Sequence, residues 1–294
     1  MRLQIIGIAA ALLSALAWAT GAVLYKIFGR SISSFGMNVV KGGINVVLLG
    51  LCLLFLGFGK MDLNTFIILG MSGLIGIALG DTFFFEALRE LSPQVLVLLS
   101  LLGQVLTVLF AVFFLNEFLT PSIWTGVVLI IAGVTFVVYR KVSDARGENT
   151  PTGVLYGLLS VLCMSSSIII TKIGLSSVSA LEATFIRMLW GTCGLLLWGV
   201  ITRRLATWLA PFREARVMKG FFLLVCFVSF GGFWLFHVGI KYADVVVANT
   251  LTSMEPLFVL PIGAIFLKEK ITWSAAVGTA VSLGGLILLC SAYQ

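Results

Sequence analysis

The sequence predicts an all-α polytopic membrane protein whose ten transmembrane helices form two five-helix repeats of inverted topology. Composition, span count and an internal duplication each lead there. Hydrophobic residues make up 60% of the 294 residues and charged residues only 11%, with a mean hydropathy of +1.14, far from the balance of a soluble domain. A helix needs about 20 apolar residues to cross a hydrocarbon core of about 30 Å, and such stretches occur ten times. They run over 4–26, 35–58, 64–88, 93–115, 120–140, 152–173, 180–202, 219–240, 244–267 and 271–291. The chain also repeats itself. FLNEFLTPSIWTG at 114–126 returns as FLKEKITWSAAVG at 266–278, an offset of 152, and Gly7 to Ile27 pairs with Gly153 to Ile173 at an offset of 146. Self-similarity of this kind makes each half one copy of a common unit.

Residues 1–146 and 147–294 are the two expected repeats, five spans each. An odd number of spans makes the second copy enter the membrane from the side opposite to the first, a plan common among secondary transporters. Turn formers separate the spans: Gly29, Gly36, Gly57, Gly59, Ser92-Pro93, Thr120-Pro121, and the run from Gly147 to Pro151 between the halves. The longest connection, 203–218, mixes charges with Trp208, Leu209 and Phe212; it reads either as a short interfacial amphipathic helix or as a connecting loop. Ala17-Trp18-Ala19 resembles a leader-cleavage site. Its counterpart at 153–173 is internal and the apolar run continues past Ala19, so the first span is expected to be retained. The five cysteines fall within spans, where they act as small apolar residues and imply no disulfide framework.

The net charge of +7 follows from topology rather than from a nucleic-acid partner, because the basic residues lie between apolar spans and form no stripe. Thirteen of the nineteen Lys and Arg residues sit in the odd-numbered connections and four on the other side. Taken alone, the positive-inside rule puts the odd connections in the cytoplasm and both termini outside. No phosphate loop, nucleotide site or metal-ligand spacing is present, so no cofactor and no metal is expected. An intramembrane enzyme would need a convergent set such as H-E-x-x-H, and the chain has one histidine. A receptor-like or structural membrane protein predicts neither the duplication nor polar sites that differ between the halves. The expected partners are a small-molecule substrate and the lipid bilayer, with the protein a monomer or homodimer.

Each half closes on the pattern L-x-E-x-h-T-x-x-x-x-x-G (h, apolar), from Leu115, Glu117 and Thr120 to Gly126 and from Leu267, Glu269 and Thr272 to Gly278. Together with ten spans in two halves and Glu255-Pro256 in the ninth, this resembles the drug/metabolite transporter superfamily, EamA type. The resemblance covers the whole chain. It implies secondary transport of small metabolites, often amino acid export, in a multi-pass protein of the cytoplasmic membrane, with spans 1, 3, 4, 6, 8 and 9 around a central cavity. It also implies cytoplasmic termini, opposite to the loop charges, and the orientation stays open between the two.

Ionisable residues inside spans are the first candidates for a site, since burying one in hydrocarbon is disfavoured by about 3 kcal/mol on insertion scales and such groups usually face the protein interior or a water path. Lys41 in span 2 and Arg187 in span 7 match at the offset of 146, which assigns them a shared structural task, with a substrate role equally open. Lys26 and Lys172 also match but lie near span ends and read as interface anchors. In span 3, Asp81 follows Gly76-x-x-x-Gly80, a pair suited to close helix contact. Helical periodicity sets Asp81, Phe84, Phe85 and Leu88 on one face, with Glu86 directed away. A carboxylate beside an aromatic face suits the cationic end of a solute; a helix–helix hydrogen bond explains Asp81 equally well.

Span 8 carries Phe230, Phe233, Trp234, His237 and Lys241 on one face; histidine is the side chain suited to relaying a proton near neutral pH, and a packing role for His237 is equally open. Span 9 contains Pro256 and Pro261, which cannot donate to the carbonyls of Thr252 and Leu257, so a bend with exposed acceptors is expected near Asn249, Thr252, Ser253 and Glu255. The matching region of span 4 offers Gln104 instead. The expected substrate-binding set is Trp18, Asp81, Phe84, Phe85, Gln104, Trp234, His237, Asn249 and Glu255, with Asp81, His237 and Glu255 as candidates for proton coupling. This mixture suits a zwitterion or amphipathic metabolite, amino acids foremost, with nucleosides, sugars and lipophilic solutes as the alternative. Glu117 and Glu269 have a structural explanation at helix starts, as do Thr120 and Thr272 as N-caps.

Overall fold

A computed structural model describes residues 2–59, 61–106, 109, 121–143, 149–174, 178–242 and 251–291. Among these residues there is no strand, and six helices are long and apolar enough to cross a membrane by length and composition: Gln4–Gly29, Ser34–Leu56, Leu63–Glu90, Pro121–Val142, Pro151–Thr171 and Ala180–Ile201. Shorter apolar helices cover Pro93–Leu106, Glu255–Phe266 and Trp273–Leu288. The expected fourth and ninth spans lie partly outside the described residues, as do Glu117 and Thr120.

The helices are α1 (Arg2–Gly29), α2 (Ser34–Leu56), α3 (Leu63–Gly73), α4 (Thr82–Glu90), α5 (Pro93–Ser100), α6 (Pro121–Val142), α7 (Pro151–Gly174), α8 (Ala180–Ile201), α9 (Leu205–Leu209), α10 (Ala215–Val225), α11 (Gly232–Tyr242), α12 (Glu255–Phe266) and α13 (Trp273–Ser291). The sequence supplies their caps. Ser33 accepts from the Gly36 N–H at the start of α2, and Asp62 accepts from Thr65 at the start of α3, which holds its carboxyl below the usual range. Ser179 and Glu182 close a capping box on α8, and Glu182 also accepts from the Gly59 N–H. Thr272 caps α13 as expected, accepting from the Ala275 N–H at 3.3 Å.

Two of the expected spans contain π-helical turns. Leu74–Asp81 joins α3 to α4, and Cys226–Gly231 joins α10 to α11; their first residues are repeat equivalents at the offset of 152. Wide turns of this kind are rare and cluster at functional places. They persist in an apolar setting only if the displaced carbonyls find donors. Asn38 Nδ2 donates to the Ile77 carbonyl at 2.7 Å, Thr82 to that of Ala78 at 2.6 Å and Ser160 to that of Gly80 at 2.9 Å. After the second π segment, Ser14 donates to the Gly232 carbonyl at 2.8 Å.

The chain divides into two compact units that cut across the sequence halves. One contains residues 1–27, 88–154 and 226–294, the other 28–87 and 155–225. In the first, Ala19, Ala22 and Val23 of α1 pack with Val97 of α5 and Val259 of α12. Helices α6 and α13 meet through glycines: a Cβ on Gly133 would stand 2.6 Å from the Gly278 carbonyl, and one on Gly285 2.6 Å from that of Gly126. In each of the two helices these glycines, Gly126 with Gly133 and Gly278 with Gly285, are seven residues apart. Lys26 donates to the carbonyls of Arg89 and Leu91 at 3.1 and 2.9 Å, closing the end of α4. In the second unit, the 203–218 connection turns its aromatics inward. Trp208 stacks on Phe35 at 4.8 Å and Phe212 meets Phe221 at 5.0 Å, so this short helix is held by protein packing.

Candidate functional site

The second unit holds a polar cluster in its apolar interior, built on the Leu74–Asp81 π segment. Lys41 of α2 forms an ion pair with Asp81, with 11% and 16% of the two side chains exposed. The Lys41 ammonium also stands 5.3 Å from the centre of the Phe85 ring, which is itself buried and meets Phe84 edge-on at 5.9 Å. The ring's negative face adds to the attraction from the carboxylate. Asn38 locks the register of the two helices, donating to the Ile77 carbonyl and to Thr82 Oγ1 at 2.9 Å. Asn45 Nδ2 donates to the Lys41 carbonyl at 3.0 Å. Asp81, Phe84 and Phe85 therefore come together as the helical face predicts, and Lys41 joins them as the partner of Asp81.

Arg187 of α8 approaches the same π segment from another side. Its Nη2 donates to Ser167 Oγ at 2.9 Å. Ser167 in turn donates to the Ser72 carbonyl at 2.9 Å, and Ser72 contacts Thr171 Oγ1 at 2.6 Å. Gly73 and Gly76 permit the approach, since a Cβ on either would collide with the Arg187 backbone or with Ser167. Asp81 attracts Arg187 electrostatically, yet the ion pair of Asp81 among the described residues is with Lys41.

The remaining candidates belong to the first unit. Trp18 of α1 is half-buried and lies 5.9 Å from the Phe236 ring. Its indole nitrogen sits where a Cβ on Gly232 would be only 2.6 Å away, so α1 lies directly against the end of the second π segment. Gln104 follows a break at Leu101, whose N–H turns to the Leu98 carbonyl at 3.1 Å. A matching break occurs at Ser253-Met254, where the Met254 N–H reaches the Leu251 carbonyl at 3.2 Å. Leu101 and Ser253 are equivalent at the offset of 152. The expected bend of span 9 is thus an interruption before α12. Glu255 and Pro256 begin that helix, and a missing proline N–H in a first turn leaves no carbonyl without its donor. The backbone of Trp234 and His237 lies in α11, while their side chains, and Asn249 as a whole, fall outside the described residues.

The Lys41–Asp81 pairing escaped the sequence reading, although a signal was present. Both residues sit about two helical turns in from the same end of neighbouring antiparallel spans, where opposite charges at equal depth are natural partners. The π segments and the break at Leu101 had no sequence signal of that kind.

The EamA-like transporter family model matches residues 5–139 and 151–291 of the chain. The chain belongs to the EamA-like transporter family. It is a multi-pass integral membrane protein and a membrane transporter. An uncharacterised transporter of Archaeoglobus fulgidus is 25% identical to this EamA-like chain over 280 residues, 95% of each chain. A further uncharacterised transporter of that organism is 36% identical over 62 residues, 20% of this chain and 22% of its own. A solved crystal structure with 18% sequence identity aligns with a TM-score of 0.62, covering 98% of this chain and 96% of that one, which is a likeness of fold.

Proposed function

We propose that this transporter exports small metabolites, amino acids foremost, by alternating access of two inverted five-helix repeats, residues 1–146 and 147–294. The observation that carries the substrate class is the cluster of Lys41, Asp81 and Arg187 beside Phe84 and Phe85. Groups of both signs next to an aromatic face suit a zwitterion with an apolar side chain better than a polyanion or a sugar. Asp81, Phe84 and Phe85 form one set of substrate-binding residues. Trp18, Gln104, Trp234, His237, Asn249 and Glu255 form the other. Asp81, His237 and Glu255 are the candidates for moving a proton with the solute, since each carries a group able to gain or lose one.

Radiolabelled amino acid counterflow in proteoliposomes tests this reading, with Asp81→Asn, His237→Ala and Glu255→Gln measured beside wild type. Saturable exchange of at least one amino acid is expected, reduced at least about tenfold in a folded Asp81→Asn protein, as the loss of a charge-assisted contact implies. An imposed pH gradient is expected to change the rate. Absence of exchange with every amino acid would refute the substrate class, and indifference to the gradient would refute coupling alone.

A further inference from the structure

Within the cluster of Lys41, Asp81 and Arg187 the charges do not balance. Lys41 and Asp81 neutralise one another in a direct pair. Arg187 is left with a hydroxyl. Its Nη2 donates to Ser167, an uncharged acceptor, and its Nε is buried with no acceptor among the described residues. Lys41 and Arg187 thus share one carboxylate inside membrane-spanning helices, where charge that is not fully balanced is strongly disfavoured.

We propose that Arg187 binds the carboxylate of the transported solute, a deepening that rests on the amino acid reading above. The guanidinium is a planar fork of donors that matches two carboxylate oxygens at once, which an ammonium cannot do. This explains an Arg in the second half where the first has Lys41, already committed to Asp81. Gly76 lets the guanidinium and Ser167 lie directly against the π segment: a Cβ there would collide with Ser167 Oγ and stand 3.4 Å from Arg187 Nη2. Ser167 is itself tied to the Ser72 carbonyl, so it fixes one edge of the fork while Nε remains for the solute. The residual positive charge also selects against solutes with a free amine and no acid group, because these would add a third cation to the cluster.

Equilibrium binding to the purified full-length protein in lipid-free detergent tests the proposal, using the twenty amino acids singly, then the carboxamide and the decarboxylated amine of the best binder. The carboxamide and the amine are expected to bind about 10- to 100-fold more weakly than the acid. Arg187→Gln is expected to lose the same factor for the acid and to leave the carboxamide unchanged, with Arg187→Lys in between. Wild-type protein alone supplies the first comparison, so a variant that fails to fold does not remove the test. Equal binding of acid and carboxamide, an unchanged preference in Arg187→Gln, or no binding by any amino acid would overturn it. Carboxylate-selective binding without counterflow would retain Arg187 as an acid-binding residue and sink the carrier reading. Counterflow without carboxylate preference would do the reverse.

Discussion

Asp81 is the residue on which two cations converge, and its neighbours set what each substitution does. Lys41→Met leaves Asp81 facing Arg187, one charge against one. Asp81→Asn leaves Lys41 and Arg187 with no carboxylate between them. Removing one member of a buried pair destabilises by about 3–5 kcal/mol when the other charge is stranded. Asp81→Asn is expected near that figure and Lys41→Met clearly below it, by unfolding of the purified protein in detergent. The reverse order would contradict the arrangement of charges described here. The sequence alone marks all three residues as intramembrane charges, because ionisable groups stand out in a chain with 11% charge. It does not pair them, since pairing depends on which helix faces which. Trp18 and Glu255 were legible as candidates in the same limited sense. Trp18 packs against the end of a π segment and Glu255 opens a helix, and neither placement follows from periodicity.

Helix α6 meets α13 with nothing but hydrogen between parts of their backbones. The recurrence of Gly126 and Gly133 with Gly278 and Gly285 makes this seam legible from sequence, because small residues on one helical face mark close packing in lipid. A leucine at Gly133 would meet the Gly278 backbone and Ser282, neither of which can yield as the tip of a flexible side chain would. Gly133→Leu is therefore expected to destabilise the protein by about 1–3 kcal/mol or to lower its folded yield, measured by thermal unfolding and by monodispersity on gel filtration. An unchanged transition would mean that the seam is looser than described. The π segments illustrate what sequence pattern does not hold. Their start positions agree between the halves, at Leu74 and Cys226, but the donors that satisfy their freed carbonyls differ. Asn38, Thr82 and Ser160 serve the first and Ser14 the end of the second. A wide turn depends on such tertiary partners, and hydrophobic periodicity passes through it unchanged.

On the scale of the molecule, duplication is the organising fact. The EamA-like model matches the chain twice, over 5–139 and 151–291, and paired features recur at fixed offsets: π segments, helix breaks at Leu101 and Ser253, and the glycine seam. Compact units nevertheless combine segments of both halves. Sequence similarity groups residues by ancestry, whereas packing groups them by which apolar faces bury one another. Polar chemistry has diverged between the halves, with Asp81 aligned to Phe233 and Arg187 set against Lys41. That divergence is what a single asymmetric solute requires of a duplicated scaffold. A carrier that alternates the exposure of one site returns faster when loaded than when empty. The most direct measurement of the central claim is therefore the initial rate of labelled amino acid uptake into proteoliposomes with and without unlabelled solute inside. Saturable uptake accelerated several-fold by internal solute is the expected result; uptake that is linear in concentration and indifferent to internal solute would contradict it.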